Sequence, residues 1–157
     1  MTLKGLERKL KEIDHVKVMA ESVTEDIPYL KQINLQQMYA GLDRDGIDLK
    51  PGYLEDPFFK TRAAAQRYSD WKDKITPSSK RHKGTPNLYI NGYYYSSRDA
   101  EVQGEKIIYT STYLENEIES KYGEEINGLG GIYKEEFLKF HLMPTFIDKM
   151  KLITGLK

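Results

Sequence analysis

Residues 88–112, LYINGYYYSSRDAEVQGEKIIYTST, decide the fold class. Leu88-Tyr89-Ile90 and Tyr93-Tyr94-Tyr95 flank Asn91-Gly92, the strongest short signal for a two-residue hairpin turn. The flanking runs are short, so a bulge at Asn91-Gly92 is the alternative. Val102 and Ile107-Ile108-Tyr109 flank Gln103-Gly104, a second hairpin candidate. An antiparallel β-meander is therefore expected here.

The pattern on either side is helical. Asp56-Pro57 reads as a helix start, with Asp capping free amides and Pro at the first helical position. Ala64, Tyr68, Trp71 and Ile75 then recur at helical spacing, and Thr76-Pro77 stops the run. Trp71 is expected as the core anchor of this helix. At the N-terminus, Thr2 is a cap and Leu3, Leu6, Leu10 and Ile13 start a stripe that continues through Val16, Ala20, Val23, Ile27 and Leu30. Pro28 is expected to end that helix near Glu25 or to kink it. Ile33 to Tyr39 switches to period two, and with Ile47-Asp48-Leu49 it flanks Asp43-Arg44-Asp45-Gly46 as a hairpin. Downstream, Tyr113 to Tyr122 is a short acidic helix and residues 127–131 a loop. Tyr133 to Leu152 is the last helix, with Phe137, Phe140, Phe146, Ile147 and Met150 inward and Pro144 marking a kink or break.

The order helix, hairpin, basic helix, meander, helix means α+β rather than a parallel βαβ fold. The length of 157 residues fits one domain, a helical segment over 1–31 and an α+β body over 32–157. No apolar run approaches the ~18–20 residues that cross a bilayer, and the first fifteen residues do not read as a signal peptide. A soluble intracellular product is the default. The absence of Cys excludes disulfides, zinc fingers and thiol catalysis.

Candidate chemistry is thin. With Gly46 as the sixth position of an EF-hand loop, Gly41 and Gly52 fall where the first and twelfth ligands belong, so no calcium site is expected. Gly128-Leu129-Gly130-Gly131 lacks both the dinucleotide and the Walker spacing. His15, His82 and His141 have no companions at metal spacing. No catalytic residue, metal ligand or cofactor site is nominated.

Charge is more informative. Lys plus Arg and Asp plus Glu are both 24, so the chain is neutral overall. Yet residues 60–83 carry eight cations (Lys60, Arg62, Arg67, Lys72, Lys74, Lys80, Arg81 and Lys83) against two anions, a net of +6. Residues 99–125 carry eight anions, among them Glu115, Glu117, Glu119 and Glu124, against two cations, a net of −6. Three readings stay open: two solvated faces, a head-to-tail contact between copies, and a basic lobe on DNA phosphates. Twelve tyrosines either line half-buried strands or mark a surface buried against another chain. On the contact reading, the subunit interface comprises Lys60, Arg62, Arg67, Lys80, Arg81, Lys83, Tyr93, Tyr95, Tyr113, Glu115, Glu117, Glu119 and Glu124.

The order of motifs resembles the bacteriophage tail-completion and neck proteins related to the Mu virion-morphogenesis family. Gln36-Gln37 precedes the Asp43-Arg44-Asp45-Gly46 turn, and a basic helix follows over Thr61 to Ile75. Gly92 and Ser97 stand where the family has a T-G-x-L-x-x-S strand, with Asn91 and Tyr94 replacing Thr and Leu. Tyr122-Gly123 and Leu129-Gly130 stand at the later motif. The phrasing of Asp56 to Thr61 and of Tyr68 to Lys72 is similar to proteins of phages of gut Bacteroidetes, including the crAss-like group. The resemblance implies a virion protein assembled in the host cytoplasm: a homo-oligomeric neck or tail ring, six- or twelvefold. Such a ring joins portal or connector to tail. DNA passes through its lumen without being read, and it has no enzyme activity and no membrane partner. The alternatives are a small DNA-binding or packaging module using residues 60–83, and an enzyme whose site is built from unmarked carboxylates.

Overall fold

The computed structural model of the protein describes residues 1–156. The fold is α+β, with helices α1 (Leu3–Glu12), α2 (His15–Tyr39), α3 (Arg62–Ile75) and α4 (Tyr93–Ser97), then an antiparallel pair β1 (Arg98–Gln103) and β2 (Lys106–Ser111). Helix α5 (Glu115–Tyr122) follows. A C-terminal helix then runs from Gly131 to Thr154 as α6 (Gly131–Phe137), a π-turn (Leu138–Leu142) and α7 (Met143–Thr154).

Helix α2 is the spine. The N-terminal stripe is broken not at Pro28 but at Ile13-Asp14, where Asp14 caps the new helix by accepting from Lys17 N–H at 3.0 Å. The helix runs through Pro28, which is exposed, and Val23, Leu30, Ile33 and Met38 on both sides of it are buried. The expected extended run at 33–39 is therefore the last two turns of α2. Its inward positions include the polar Asn34 and Gln37, and this breaks the apolar pattern. The expected first hairpin reduces to one bridge, Leu42 to Asp48, around a turn in which Asp43 Oδ1 accepts from the Asp45 and Ile47 amides. The meander reduces to β1–β2 with Gly104-Glu105 as its turn, as expected from Gln103-Gly104. Asn91-Gly92 is neither hairpin nor bulge: Gly92 takes φ 81° to start α4.

Two apolar clusters flank the spine. Val23, Leu30 and Ile33 pack with Ala100 of β1 and with Tyr133, Phe137 and Leu142 of the C-terminal helix. Met38 packs with Leu49, Tyr94 and Ile126. Of the five residues expected inward on the last helix, Phe137 is buried, Phe146 and Met150 are half-buried, and Phe140 and Ile147 are exposed. The π-turn is the reason. Pro144 has no N–H and its ring crowds the preceding turn; the Met143 amide bonds back to Leu138 O, and the extra residue rotates the face.

The two glycine-containing motifs meet. Arg44 N–H donates to Glu125 O at 2.8 Å, and the backbone of Arg44 lies directly over Gly130. From α2, Asn34 Nδ2 donates to the carbonyls of Ile126 and Gly128 (3.1 and 2.8 Å), and Gln37 Oε1 accepts from the Gly130 amide at 2.9 Å. The glycine loop is thus a packed structural junction.

Candidate interaction surface

The surface is built around α3. Asp56 does not start this helix; its carboxylate caps a tight turn by accepting from Phe58 N–H at 3.0 Å. The helix starts at Arg62, capped by Thr61, whose hydroxyl accepts from Ala64 N–H at 3.1 Å. Its inner face is Ala65, Ser69, Lys72 and Thr76, one position on from the apolar stripe read in the sequence.

Lys72 is 1% exposed and its ammonium donates to Tyr89 O. Arg81 is buried beside it, donating to Tyr39 O at 3.1 Å and Thr76 O at 2.7 Å. Burial first, and the Arg81 guanidinium second, bring the Lys72 ammonium down to about 8 from 10.5. The unfolded chain therefore binds the extra proton between pH 8 and 10.5, and stability rises with pH across that window. Burial pushes the phenols of Tyr53, Tyr95 and Tyr122 up, and that of Tyr109 up to about 12. Their contribution is present below pH 10 and lost above it. Urea midpoints should thus climb from pH 8 to 10 by about 1–3 kcal/mol in stability and fall beyond. Lys72→Met should abolish the climb; coincident wild-type and variant profiles would reject this account.

Of the stripe expected inward, Trp71 and Ile75 are exposed and Ala64 and Tyr68 half-buried. Trp71 is 47% exposed and Phe58 78%. With Phe59, Tyr68 and Tyr53 they form one aromatic cluster: ring centroids lie 5.3 Å apart for Phe58–Phe59, 5.1 Å for Phe59–Tyr68 and for Tyr53–Tyr68, and 5.4 Å for Tyr68–Trp71. Lys60, Arg62, Arg67 and Lys74 on the same segment are exposed. An aromatic cluster with Phe58 and Trp71 exposed among cations has the composition of an interface hot spot.

The acidic helix α5 adjoins it. Lys121 pairs with the buried Asp56 at 2.5 Å, and Tyr122 is raised first by burial and then by Asp56 and Tyr68. Glu117 is exposed, and Glu124 faces Arg44 at 4.0 Å. Tyr93 and Tyr113 pack edge to face at 5.7 Å, with Ile90 and Leu114 exposed near them in sequence.

Four of the nominated interface residues are committed within the protomer. Arg81 is buried as described. Tyr95 packs in the second cluster, with its hydroxyl donating to Asn87 O at 2.5 Å. Glu115 accepts from Ser111 N–H at 3.1 Å and Glu119 from Asn127 Nδ2 at 2.6 Å. The nominated residues left at the surface are Lys60, Arg62, Arg67, Lys80, Lys83, Tyr93, Tyr113, Glu117 and Glu124. Phe58, Phe59 and Tyr68 are not among the residues nominated from the sequence; two consecutive Phe in an Asp-Pro turn, too short to bury both, are the signal for them.

The histidines stay apart. His15 meets Leu10 O at 3.1 Å, His82 meets Asp48 at 2.7 Å, and His141 stacks on Tyr29 at 4.2 Å. Among the described residues no group of three or more His, Asp or Glu is placed to hold a metal ion, and no helix is long and apolar enough to cross a membrane. Comparison with protein-family models, curated proteins and solved structures finds no match for the chain.

Proposed function

We propose that the protein is a structural subunit of a homo-oligomeric ring, of the bacteriophage neck or tail kind that the motif order resembles. The observation that carries this reading is the aromatic cluster of Phe58, Phe59, Tyr68 and Trp71, in which Phe58 and Trp71 are exposed and Phe59 and Tyr68 half-buried, set among Lys60, Arg62, Arg67 and Lys74. Its complement is the face with Tyr93, Tyr113, Glu117 and Glu124 on the next copy. The aromatic side chains supply affinity by burial, and the opposed fields fix register.

Two measurements test it. Electron microscopy and light scattering of the purified protein should show closed rings, and Phe58→Ser with Trp71→Ser should leave monomers. Trp71→Ala should cost the monomer about 1–2 kcal/mol, because a half-exposed side chain forfeits only part of the ~3–5 kcal/mol of a buried one. Charge reversal belongs at Glu117 and Glu124; at Glu115 and Glu119 it would break the fold's own hydrogen bonds. A wild type that stays monomeric, or stops at a two-fold pair, overturns the ring.

The second reading is a DNA-binding module, favoured by six exposed cations over residues 60–83 beside the aromatic cluster. It requires salt-dependent DNA binding by the monomer, weakened by Lys60→Glu and Arg67→Glu.

A further inference from the structure

The β1–β2 hairpin has two outer edges, and β2 has the longer open stretch: on β1 only Val102 has an outward amide without a partner among the described residues. On β1 the Ala100 amide is taken by Asp99 Oδ1 at 2.9 Å, and Asp99 is paired with Lys31 at 3.1 Å. Charged cover of this kind blunts a sheet edge. On β2 the Ser111 amide is taken by Glu115. Positions along an antiparallel strand alternate between bonding to the partner strand and facing away from it. Ser111 faces away, so Tyr109 and Ile107 do too, and their amides and carbonyls have no partner among the described residues.

This open edge borders a trough of about 580 Å³ floored by Val23, Leu30, Leu129, Phe137 and Leu142. We infer that β2 and the trough receive an extended peptide strand from a partner, which pairs with the backbone of Ile107 and Tyr109 and lays alternate apolar side chains on the floor. Donors and acceptors repeating every second residue match an extended backbone; a helix spends its own amides internally, and a nucleic acid has no such repeat. The rim specifies the ends of the guest. Arg44 and Glu124 face each other at 4.0 Å, whereas Glu105 at the hairpin tip and Lys134 on α6 have no ion-pair partner among the described residues. The guest therefore carries a cation towards Glu105 and an anion towards Lys134. This site shares no residue with the aromatic cluster on α3 and only Glu124 with the acidic face proposed to meet it.

Amide hydrogen exchange of the full chain tests the inference. In the free protein Ile107 and Tyr109 should exchange fast, while Ile108 and Thr110, bonded to β1, exchange slowly. The probe is a pool of hexapeptides with Val, Leu or Phe at two alternate positions between a Lys and a Glu, in either order. Bound members should protect Ile107 and Tyr109. N-methylation of the pairing amide of a bound peptide should weaken it about tenfold, the loss of one backbone bond from a buried ladder. Slow exchange at Ile107 and Tyr109 in the free protein, protection that depends on protein concentration alone, or a pool with no protecting member each overturns the proposal. The second of these would give the edge to another copy of the chain.

Discussion

Gly130→Ala is expected to destabilise the protein by about 3 kcal/mol or more, at the upper end of what overpacking costs. A Cβ at this position would lie 1.8 Å from the carbonyl oxygen of Arg44 and 2.6 Å from its carbonyl carbon. These are backbone atoms, so no rotamer change relieves the clash. The segment 126–131 must move off the 42–46 turn, and this breaks the Arg44 to Glu125 bond and draws the Gly130 amide from Gln37. Gly46→Ala is the control. A Cβ there meets nothing within 4 Å, but φ is +74°, so the cost is conformational only, about 1–2 kcal/mol. Urea denaturation of both variants separates the two effects. A Gly130→Ala midpoint at or above that of Gly46→Ala would mean that the junction is looser than the structure shows.

That junction shows what the sequence made legible and what it did not. Glycine-rich loops and an Asp-x-Asp-Gly turn are recognisable as local features, and both were placed correctly. Their packing against each other is not local, and no pattern in either segment announces it. The same division runs through the chain. The hairpin at Gly104, the acidic helix expected over 113–122 and found at 115–122, and the long last helix are legible from a turn signal, a run of carboxylates and apolar spacing respectively. Helix α2 beyond Leu30 and the inner face of α3 were not, because Asn34, Gln37 and Lys72 point inward. Reading only apolar residues as buried turns two helical turns into a strand at 33–39. On α3 it rotates the helix by one residue, so that Trp71 reads as core when it is half exposed. A chain with 39% hydrophobic residues builds its interior partly from polar side chains that satisfy loop carbonyls. Pro28 misled for a related reason: it lies on the solvent side, where one missing hydrogen bond is compensated by burial on the opposite face. The charge split was legible as composition, but burial of Lys72 and Arg81 removes two of its cations from the surface.

The inward polar network makes Arg98 the second position of large effect. Arg98 is 4% exposed at the start of β1. Nη1 donates to the Tyr94 hydroxyl at 3.0 Å and to Asn127 Oδ1 at 2.9 Å, and Nη2 donates to Asn34 Oδ1 at 2.9 Å. The guanidinium also sits 5.5 and 5.4 Å from the ring centres of Tyr94 and Tyr109. Its charge is balanced at one remove, because Asn127 in turn donates to Glu119. Arg98→Met keeps most of the volume and so isolates the polar contribution. Removing the charge returns some desolvation energy, but guanidinium is weakly hydrated and that gain is small. Against it stand orphaned acceptors on Asn34 and Asn127, at about 1–3 kcal/mol each, and the loss of two ring contacts. The orphaned acceptors win, and the expected cost is about 3–5 kcal/mol. Arg98→Lys should recover little, since one ammonium does not span acceptors on α2, α4 and the 126–130 loop. Lys72→Met gives the contrast, because that ammonium serves a single carbonyl and should cost far less at pH 8 and above. If denaturation finds Arg98→Met within about 1 kcal/mol of wild type, the hairpin is held to α2 by its apolar packing and the Lys31–Asp99 pair, and the network merely fills space.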